Sequence, residues 1–320
     1  MFSSTIRRSL PTWRRSRAYL YSTFAEGDYC MMRELRSGRK SLIGPLEDGL
    51  HRDFKGGLIH HKDVIGQPAR TIVRTHNGAY GFMLHEPTLE EYVVNVPRNC
   101  TPIYPKDASA IIQMLDIDPG QRILEAGTGN GALTLYLARA VHGPGGRVDT
   151  FDVRESHANM AKKHIRRFRR GQYQDTVAFH IGSVTETVAP ESTYDGIVLD
   201  MPDPSSVLET LLPSLRNDRF VVCYLPNMTQ VLDLAQTVRS LPLVMEDCIE
   251  SEWKEWEVRA TVIRAKEKEN EKHDAWVCRP KNFDVKGHTA FLVKLRKCAP
   301  ISASHTPTCT TTTAATEETP

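Results

Sequence analysis

The sequence has no apolar stretch long enough to cross a membrane and no cysteine pattern that indicates a metal site. Its seven cysteines are scattered, odd in number, and form neither a Cys-x-x-Cys pair nor a cysteine–histidine cluster at zinc spacing. A membrane helix needs about eighteen apolar residues in succession, and no run approaches that length. We therefore expect a chain without disulfides, bound metal or membrane span, whose reduced thiols suit the cytosol or an organelle matrix.

A dominant charge of one sign is also lacking. The 320 residues contain 41 lysines and arginines against 39 aspartates and glutamates, which gives a net charge of +2. Any surface that binds nucleic acid must therefore be local. The hydrophobic share of 40% and charged share of 25% are ordinary for a globular protein, and the length allows one large domain or two modest ones.

Acidic residues are missing from the first 25 positions. Residues 1–23 contain five arginines and many hydroxyl side chains, and the first acid is Glu26. This composition is typical of a mitochondrial transit peptide, and the absence of an apolar core disfavours a secretory signal. We expect a transit peptide over residues 1–23 and residence in the mitochondrial matrix. The alternative is a disordered basic arm that contacts RNA, with residence in the cytoplasm or nucleus.

A glycine-rich turn between a predicted strand and a predicted helix is the most informative stretch. The strand begins at Arg122, and apolar residues recur at helical spacing from Leu133. Because glycine lacks a Cβ atom, the backbone of the turn can approach a ligand, and the N–H groups that open the helix then face it. A dinucleotide fold has Gly-x-Gly-x-x-Gly at this point, whereas the present turn reads Glu-x-Gly-x-Gly-x-Gly.

This form of the turn resembles the first motif of S-adenosylmethionine-dependent methyltransferases. A second predicted strand ends at Asp152, where a carboxylate can accept both ribose hydroxyls of a cofactor. The alternatives are a doubly wound fold with a tight turn and no cofactor, or one that holds NAD. The residues of the turn and strand assigned to S-adenosylmethionine are Glu125, Gly127, Gly129, Gly131, Ala132, Leu133 and Asp152.

Another carboxylate follows a later predicted strand. Residues 194–200 end in Asp200, which opens the loop Asp-Met-Pro-Asp-Pro. A carboxylate at the carboxyl end of a central strand lies over the ligand crevice of an open α/β sheet, and the two prolines restrict the loop. Asp200 is therefore expected to be a second chemical centre at the crevice and a further cofactor contact. The alternative role is a cap of the following turn.

The remaining chain is predicted to form a small β domain over residues 24–98, a methyltransferase domain over residues 99–298 and a disordered tail over residues 299–320. The β domain contains the strong hairpin signal Asn77-Gly78, and its fold is expected to be a barrel or sandwich. Its basic residues suit phosphates as well as solvent. They are Arg33, Arg36, Arg39, Lys40, Arg52, Lys55, Lys62, Arg70 and Arg74.

Three local features complete the expectations. Asp107 is predicted to cap a helix that begins near it. The helix predicted over residues 155–168 ends with six basic residues between Lys162 and Arg170, more than the helix dipole requires, and these face either RNA or solvent. Trp253 and Trp256 lie in an alternating strand-like run and are expected in the core rather than as stacking platforms for bases.

Several stretches together resemble the catalytic subunits of tRNA adenine-58 N1-methyltransferases. They are residues 57–66, 87–92, 101–107 (Thr-Pro-Ile-Tyr-Pro-Lys-Asp), 124–131 and 287–292. The resemblance implies a Rossmann-like class I methyltransferase domain beside the small β domain, tRNA as the substrate, and a homo-tetramer or a hetero-tetramer with a related non-catalytic subunit. The arginine-rich leader resembles that of mitochondrial members.

The resemblance also assigns individual residues. The cofactor carboxylate, usually glutamate, falls on Asp152, and the catalytic aspartate falls on Asp200. Further cofactor contacts fall on His157, Ser183 and Val184. The family often has tryptophan after Asp-Leu-Pro-x-Pro, whereas Ser205 stands there in this chain. Two other functions remain open from the residues: a protein or small-molecule methyltransferase of the isoaspartyl type, and a non-catalytic RNA-binding subunit.

Overall fold

The computed structural model describes residues 23–54, 56–188, 193–264, 272–281 and 287–298. They form two compact units that divide between Pro97 and Arg98, except that Arg166–Gln172 belongs to the first unit. Residues 1–22 of the predicted transit peptide, the predicted tail and residues 265–271 lie outside the described residues. Within the described part, no helix combines the length and apolar character that a membrane crossing requires.

The first unit is built on a four-stranded antiparallel sheet and a separate hairpin. Its strands are β1 (Cys30–Glu34), β2 (Lys40–Ile43), β3 (His51–Phe54), β4 (Gly57–His60), β5 (Ile72–Arg74) and β6 (Gly81–His85), followed by helix α1 (Leu89–Asn95). The sheet has the order β2–β1–β6–β5, and β3 pairs with β4. Buried residues of the sheet and of the hairpin, such as Leu84 and Ile59, share one core. The predicted turn at Asn77-Gly78 joins the antiparallel pair β5–β6.

The second unit is a doubly wound α/β fold. Its strands are β7 (Arg122–Ala126), β8 (Arg147–Asp152), β9 (Val177–Ile181), β10 (Tyr194–Leu199), β11 (Leu215–Leu225), β12 (Leu243–Ile249), β13 (Trp256–Arg264), β14 (Lys272–Pro280) and β15 (Phe291–Lys297). Its helices are α2 (Pro105–Leu115), α3 (Ala132–Val141), α4 (Glu155–Arg167), α5 (Val184–Thr187), α6 (Ser205–Leu211) and α7 (Met228–Val238).

The order of the strands creates a ligand crevice. The seven-stranded sheet runs β12–β15–β11–β10–β7–β8–β9, with β15 antiparallel to both neighbours and β7 parallel to β8 and β10. The chain leaves β7 towards β8 and β9, and later returns to the other side of β7 as β10. Such a reversal opens a crevice at the carboxyl ends of the strands. The predicted strand–turn–helix–strand unit is β7, the glycine turn, α3 and β8.

The structure corrects the role predicted for Asp107. Helix α2 begins two residues earlier, at Pro105, because proline at the first helical position has no N–H group to satisfy. Asp107 is fully buried and caps nothing. Its carboxylate accepts hydrogen bonds of 2.8 Å each from the Lys106 ammonium and from the hydroxyls of Ser251 and Thr289. This network ties the start of α2 to the segments before β13 and β15.

The basic end of α4 is only partly available to a ligand. Arg169 and Arg170 adopt left-handed backbone conformations, with φ values of 46° and 54°. The Arg170 guanidinium then forms a bidentate ion pair with the buried carboxylate of Asp28, with contacts of 2.7 and 3.0 Å. The Arg170 side chain therefore stabilises the first unit. Of the other basic side chains, Lys163, Arg166 and Arg167 are exposed.

The predicted burial of the two tryptophans is wrong. Trp253 is 48% exposed and Trp256 54% exposed. Strands β13 and β14 pair only with each other and form a two-stranded sheet of their own. Alternation correctly indicates the strand, but the apolar face of this hairpin is not covered by the described part of the chain. Trp276 on β14 is likewise 71% exposed.

Candidate cofactor and catalytic site

A pocket of about 510 Å³ lies at the carboxyl ends of β7, β8, β9, β10 and β11. This volume is within the range of roughly 300–1,000 Å³ for small-molecule sites. The pocket brings together seven residues assigned from the sequence, namely Gly127, Gly129, Asp152, His157, Ser183, Val184 and Asp200. Four other assigned residues do not line it, namely Glu125, Gly131, Ala132 and Leu133.

Gly127 allows the ends of β7 and β10 to come together. Its φ is +100°, and a Cβ atom placed on it would lie 1.9 Å from the carbonyl oxygen of Asp200. The Asp200 N–H donates a hydrogen bond of 2.8 Å to the carbonyl of Ala126. Any side chain at position 127 would therefore push the aspartate away from the glycine turn.

Gly131 has a packing role behind the pocket. It is the N-cap of α3 with a φ of +80°, and a Cβ atom on it would lie 2.9 Å from the Cβ of Ala161 in α4. The glycine thus lets α3 start close to α4. Ala132 and Leu133 follow as buried residues of the first turn of α3. These three residues shape the turn from behind rather than lining the cavity.

Glu125 supports the turn from beneath. Its side chain is fully buried, and one carboxyl oxygen accepts hydrogen bonds from Thr134 (2.6 Å) and Thr150 (2.7 Å). The Thr150 hydroxyl also lies 2.7 Å from that of Thr128 within the turn. Burial raises the pKa of Glu125 to about 8, against the effect of the two hydroxyl hydrogen bonds. At neutral pH the residue is therefore largely an uncharged acid that holds β7, β8 and α3 together.

Asp152 is held by the backbone around it. One carboxylate oxygen accepts a hydrogen bond from the Gly129 N–H (2.9 Å), and the other accepts one from the Arg154 N–H (2.8 Å). The His157 Nδ1 atom lies 3.4 Å from the first of these oxygens. A carboxylate has about four acceptor positions, so these two bonds orient the group and leave capacity for a ligand.

Asp200 follows β10 directly and faces the same pocket. Burial, together with the negative charge of Asp152, raises the pKa of Asp200 to about 6. No ion pair to Asp200 occurs among the described residues. A carboxylate in this setting is stabilised by a positive charge or a hydrogen-bond donor that enters the pocket.

Sequence reasoning missed several residues that line the pocket. Tyr224 at the end of β11, Cys100 before α2 and Gln230 in α7 all contribute to the wall. Burial is the main cause that raises the pKa of Tyr224, with further contributions from the charges of Asp107 and Asp200. Tyr224 was recognisable in the sequence only as part of a strand, because its side-chain direction depends on the pairing of β11.

Comparison with known proteins agrees with this geometry. Residues 80–285 match the family model described as the GCD14 subunit of the tRNA methyltransferase complex. The chain belongs to this family. It is also 42% identical over 262 residues to the tRNA (adenine(58)-N(1))-methyltransferase TrmI of Thermus thermophilus. This alignment covers 82% of the present chain and 94% of the relative. The catalytic subunit TRM61 of Yarrowia lipolytica is 28% identical and covers 76% of this chain and 62% of its own length.

Solved structures give the same fold. A SAM-dependent O-methyltransferase from Thermotoga maritima superposes with a TM-score of 0.73 at 25% identity, covering 87% of this chain and 96% of its own. The tRNA (m1A58) methyltransferase TrmI of Aquifex aeolicus has a TM-score of 0.67 at 27% identity, with 87% and 99% covered. The predicted Rossmann-like class I methyltransferase fold is therefore confirmed, as is the recognised family.

The pocket fits S-adenosylmethionine, the cofactor of this family. Asp152 presents acceptor capacity suited to a ribose diol, and the Gly129 backbone has open space where other residues carry a Cβ atom, with only the Cys100 sulfur within 4 Å. The Asp152 and Asp200 carboxylates give the pocket a negative character that suits a sulfonium cation. Ser183 and Val184, after β9, also line the pocket.

Proposed function

We propose that this chain transfers the methyl group of S-adenosylmethionine to N1 of adenine 58 in tRNA. The observation that carries the proposal is the Asp200 carboxylate, which stands at the end of β10 in the pocket formed by the glycine turn and Asp152. The names of relatives from bacteria and fungi, tRNA (adenine(58)-N(1))-methyltransferases, support the same substrate and atom.

The rate of this methyl transfer depends on the positioning of the reacting atoms more than on acid–base catalysis. Adenine N1 carries a lone pair at neutral pH and needs no prior deprotonation. When bound, S-adenosylmethionine supplies a methyl group on a sulfonium, and the positive charge passes to the adenine during transfer. The Asp200 carboxylate accepts a hydrogen bond from the exocyclic amine, orients N1 and stabilises the developing charge. Because N1 lies on the Watson–Crick edge, the base must leave its stack before it reacts.

A methyl-transfer assay tests this function. Full-length protein, labelled S-adenosylmethionine and a tRNA transcript are incubated, and the labelled nucleoside is mapped by nuclease digestion. We expect N1-methyladenosine at position 58, and no label in a matched transcript that carries uridine there. Label on isoaspartyl peptides instead of tRNA would assign the chain to a different substrate class. Cofactor binding without transfer to tRNA would mean that a partner subunit is required or that the substrate is a different one.

We propose that the chain assembles with further copies of itself. The apolar side chains Trp256, Val258, Val262 and Trp276 share one face of the β13–β14 hairpin by register and are more than half exposed. Contiguous exposed apolar surface is typical of interfaces between subunits. A Trp256→Ser/Trp276→Ser variant should lower the molar mass found by light scattering, whereas Leu232→Ser, an exposed apolar residue elsewhere, should not. A monomeric wild type that assembles only with a related chain would replace this proposal by a hetero-oligomer.

We also propose the mitochondrial matrix as the place of action, supported by the arginine-rich, acid-free composition of residues 1–23. A fusion of residues 1–23 to a fluorescent protein should enter mitochondria. Replacement of its five arginines by glutamine should leave the fusion in the cytoplasm. Cytoplasmic location of the unaltered fusion would contradict the proposal.

A further inference from the structure

The first unit contains a second cavity, of about 260 Å³, that shares no residue with the cofactor pocket. It lies between the turn that joins β1 to β2, strand β3 with Gly56, and the start of β6. The residues around it are Glu34, Arg39, Ser41, Arg52, Asp53, Phe54, Gly56, Tyr80 and Phe82. Its volume is slightly below the roughly 300–1,000 Å³ of drug-sized sites, which suits a smaller planar group.

Aromatic side chains form much of the lining. Phe54 and Phe82 pack with ring centroids 4.5 Å apart, and Phe82 is buried whereas Phe54 and Tyr80 are half-buried. Gly56 lies directly against the Tyr80 ring, because a Cβ atom on this glycine would come within 1.8 Å of a ring carbon. This packing holds the Phe54 and Tyr80 rings in place, so little conformational entropy is lost when a ligand binds against them.

The rim of the cavity carries charged side chains that have no ion-pair or hydrogen-bond partner among the described residues. Arg39, Arg52 and Asp53 are exposed, and their side chains form no ion pair or hydrogen bond with the described residues. Glu34 accepts a hydrogen bond from Ser37 at 2.6 Å. Among the described residues, two guanidinium groups and two carboxylates therefore line the aromatic cavity. A third guanidinium, that of Arg36, lies 5.8 Å from the centroid of the Tyr80 ring.

We propose that this cavity binds one unpaired nucleotide of the tRNA, separate from the adenine that is methylated. The base stacks on the rings of Phe54 and Tyr80, and Arg39 and Arg52 hold the adjoining phosphates with paired N–H donors. The Asp53 carboxylate accepts a hydrogen bond from an exocyclic amine, which favours adenine, guanine or cytosine over uracil. The proposal rests on the proposed function in that it takes tRNA as the substrate.

Measurements of fluorescent tRNA binding to the full-length protein distinguish binding in this cavity from binding to any basic surface. We expect Arg39→Gln/Arg52→Gln to weaken binding by at least tenfold and to lower the salt slope by about 1 for each lost phosphate contact. The control Lys62→Gln/Arg70→Gln removes the same charge from exposed sites outside the cavity and should weaken binding only slightly. Phe54→Leu should weaken binding on the order of tenfold with an unchanged salt slope, because it removes stacking and no charge.

The outcomes separate this proposal from the proposed function. Equal effects of the two charge-neutralising pairs, or wild-type affinity of Phe54→Leu in a folded protein, would overturn the nucleotide pocket while methylation of adenine 58 stands. Ultraviolet cross-linking of the wild-type complex gives a direct readout, since nucleotide adducts are expected on peptides that contain Phe54 or Tyr80. Adducts confined to other peptides would contradict the proposal even if the chain methylated no tRNA at all.

Discussion

Replacement of Asp200 by asparagine should slow methyl transfer by about 10²–10³-fold while leaving the fold and cofactor pocket intact. Asparagine keeps the shape of the side chain and removes its negative charge. Loss of one preorganised group that stabilises transition-state charge costs about 2.7–4 kcal/mol. A unit charge about 4 Å from a developing cation, at an effective dielectric constant of about 20, contributes on the order of 4 kcal/mol, so the two estimates agree.

The pH dependence gives this prediction a second readout. Asp200 must be ionised to carry the negative charge that stabilises the developing cation, and its pKa of about 6 lies above the ordinary value. The kcat/KM for S-adenosylmethionine, which reports the free enzyme, should therefore rise with pH through about 6 and reach a plateau above it. This acidic limb should be absent from Asp200→Asn.

Single-turnover transfer to tRNA measures the rate, steady-state kinetics across the pH range measure kcat/KM, and calorimetry measures cofactor binding. The control is Asp203→Asn, which changes an exposed aspartate three residues further along the same loop and should react at the wild-type rate. A wild-type rate for Asp200→Asn with bound cofactor and tRNA would refute the electrostatic role. So would an acidic limb that persists in the variant.

Three further predictions concern the support of the site and the stability of the first unit. Gly127→Ala should abolish cofactor binding in calorimetry, since its Cβ would lie 1.9 Å from a carbonyl oxygen, whereas Gly143→Ala should bind normally. Glu125→Gln should raise the free energy of unfolding above pH 4.5, by an amount that increases up to about pH 8. The reason is that Glu125 ionises freely in the unfolded chain above pH 4.5, whereas burial opposes its ionisation in the folded chain. Denaturant titrations at about pH 5 and about pH 8 measure the difference between variant and wild type, and an equal difference at both pH values would contradict the prediction. Arg170→Ala should destabilise the protein by about 1–3 kcal/mol in thermal unfolding by leaving the buried Asp28 carboxylate unpaired, and an unchanged midpoint would contradict this.

The parts of the site that sequence could predict are those built from neighbouring residues. The glycine turn, the start of α3 and Asp152 follow from one continuous stretch, because turn chemistry and apolar spacing are local properties. The position of Asp200 was predictable because it ends a predicted strand, and the carboxyl end of a central strand lies at the crevice. Its catalytic role was implied by the family resemblance. These positions were assigned without knowledge of any contact between them.

The parts that sequence could not predict depend on pairing across long distances. Tyr224 lines the pocket because β11 is paired with β10 and β15 in a particular register. The network of Asp107 with Thr289 joins residues 182 positions apart. The exposure of Trp256 shows a third limit: alternation reveals a strand but not whether another surface covers it. Partners in space, rather than local propensity, decide each of these cases.

The clustering of acids at the crevice explains how a chain with a net charge of +2 can bind a cationic methyl donor. Glu125, Asp152 and Asp200 lie around the glycine turn, and the charges of Asp152 and Asp200 contribute to the raised pKa of Glu125. Burial removes most of the charge from Glu125, so the turn is held by a neutral acid. Negative charge remains on Asp152 and, above pH 6, on Asp200. A sulfonium in the pocket relieves the repulsion between these two carboxylates, whereas the neutral thioether product does not. The same charges that make Asp200 costly to ionise therefore favour the reactant over the product and promote release after transfer.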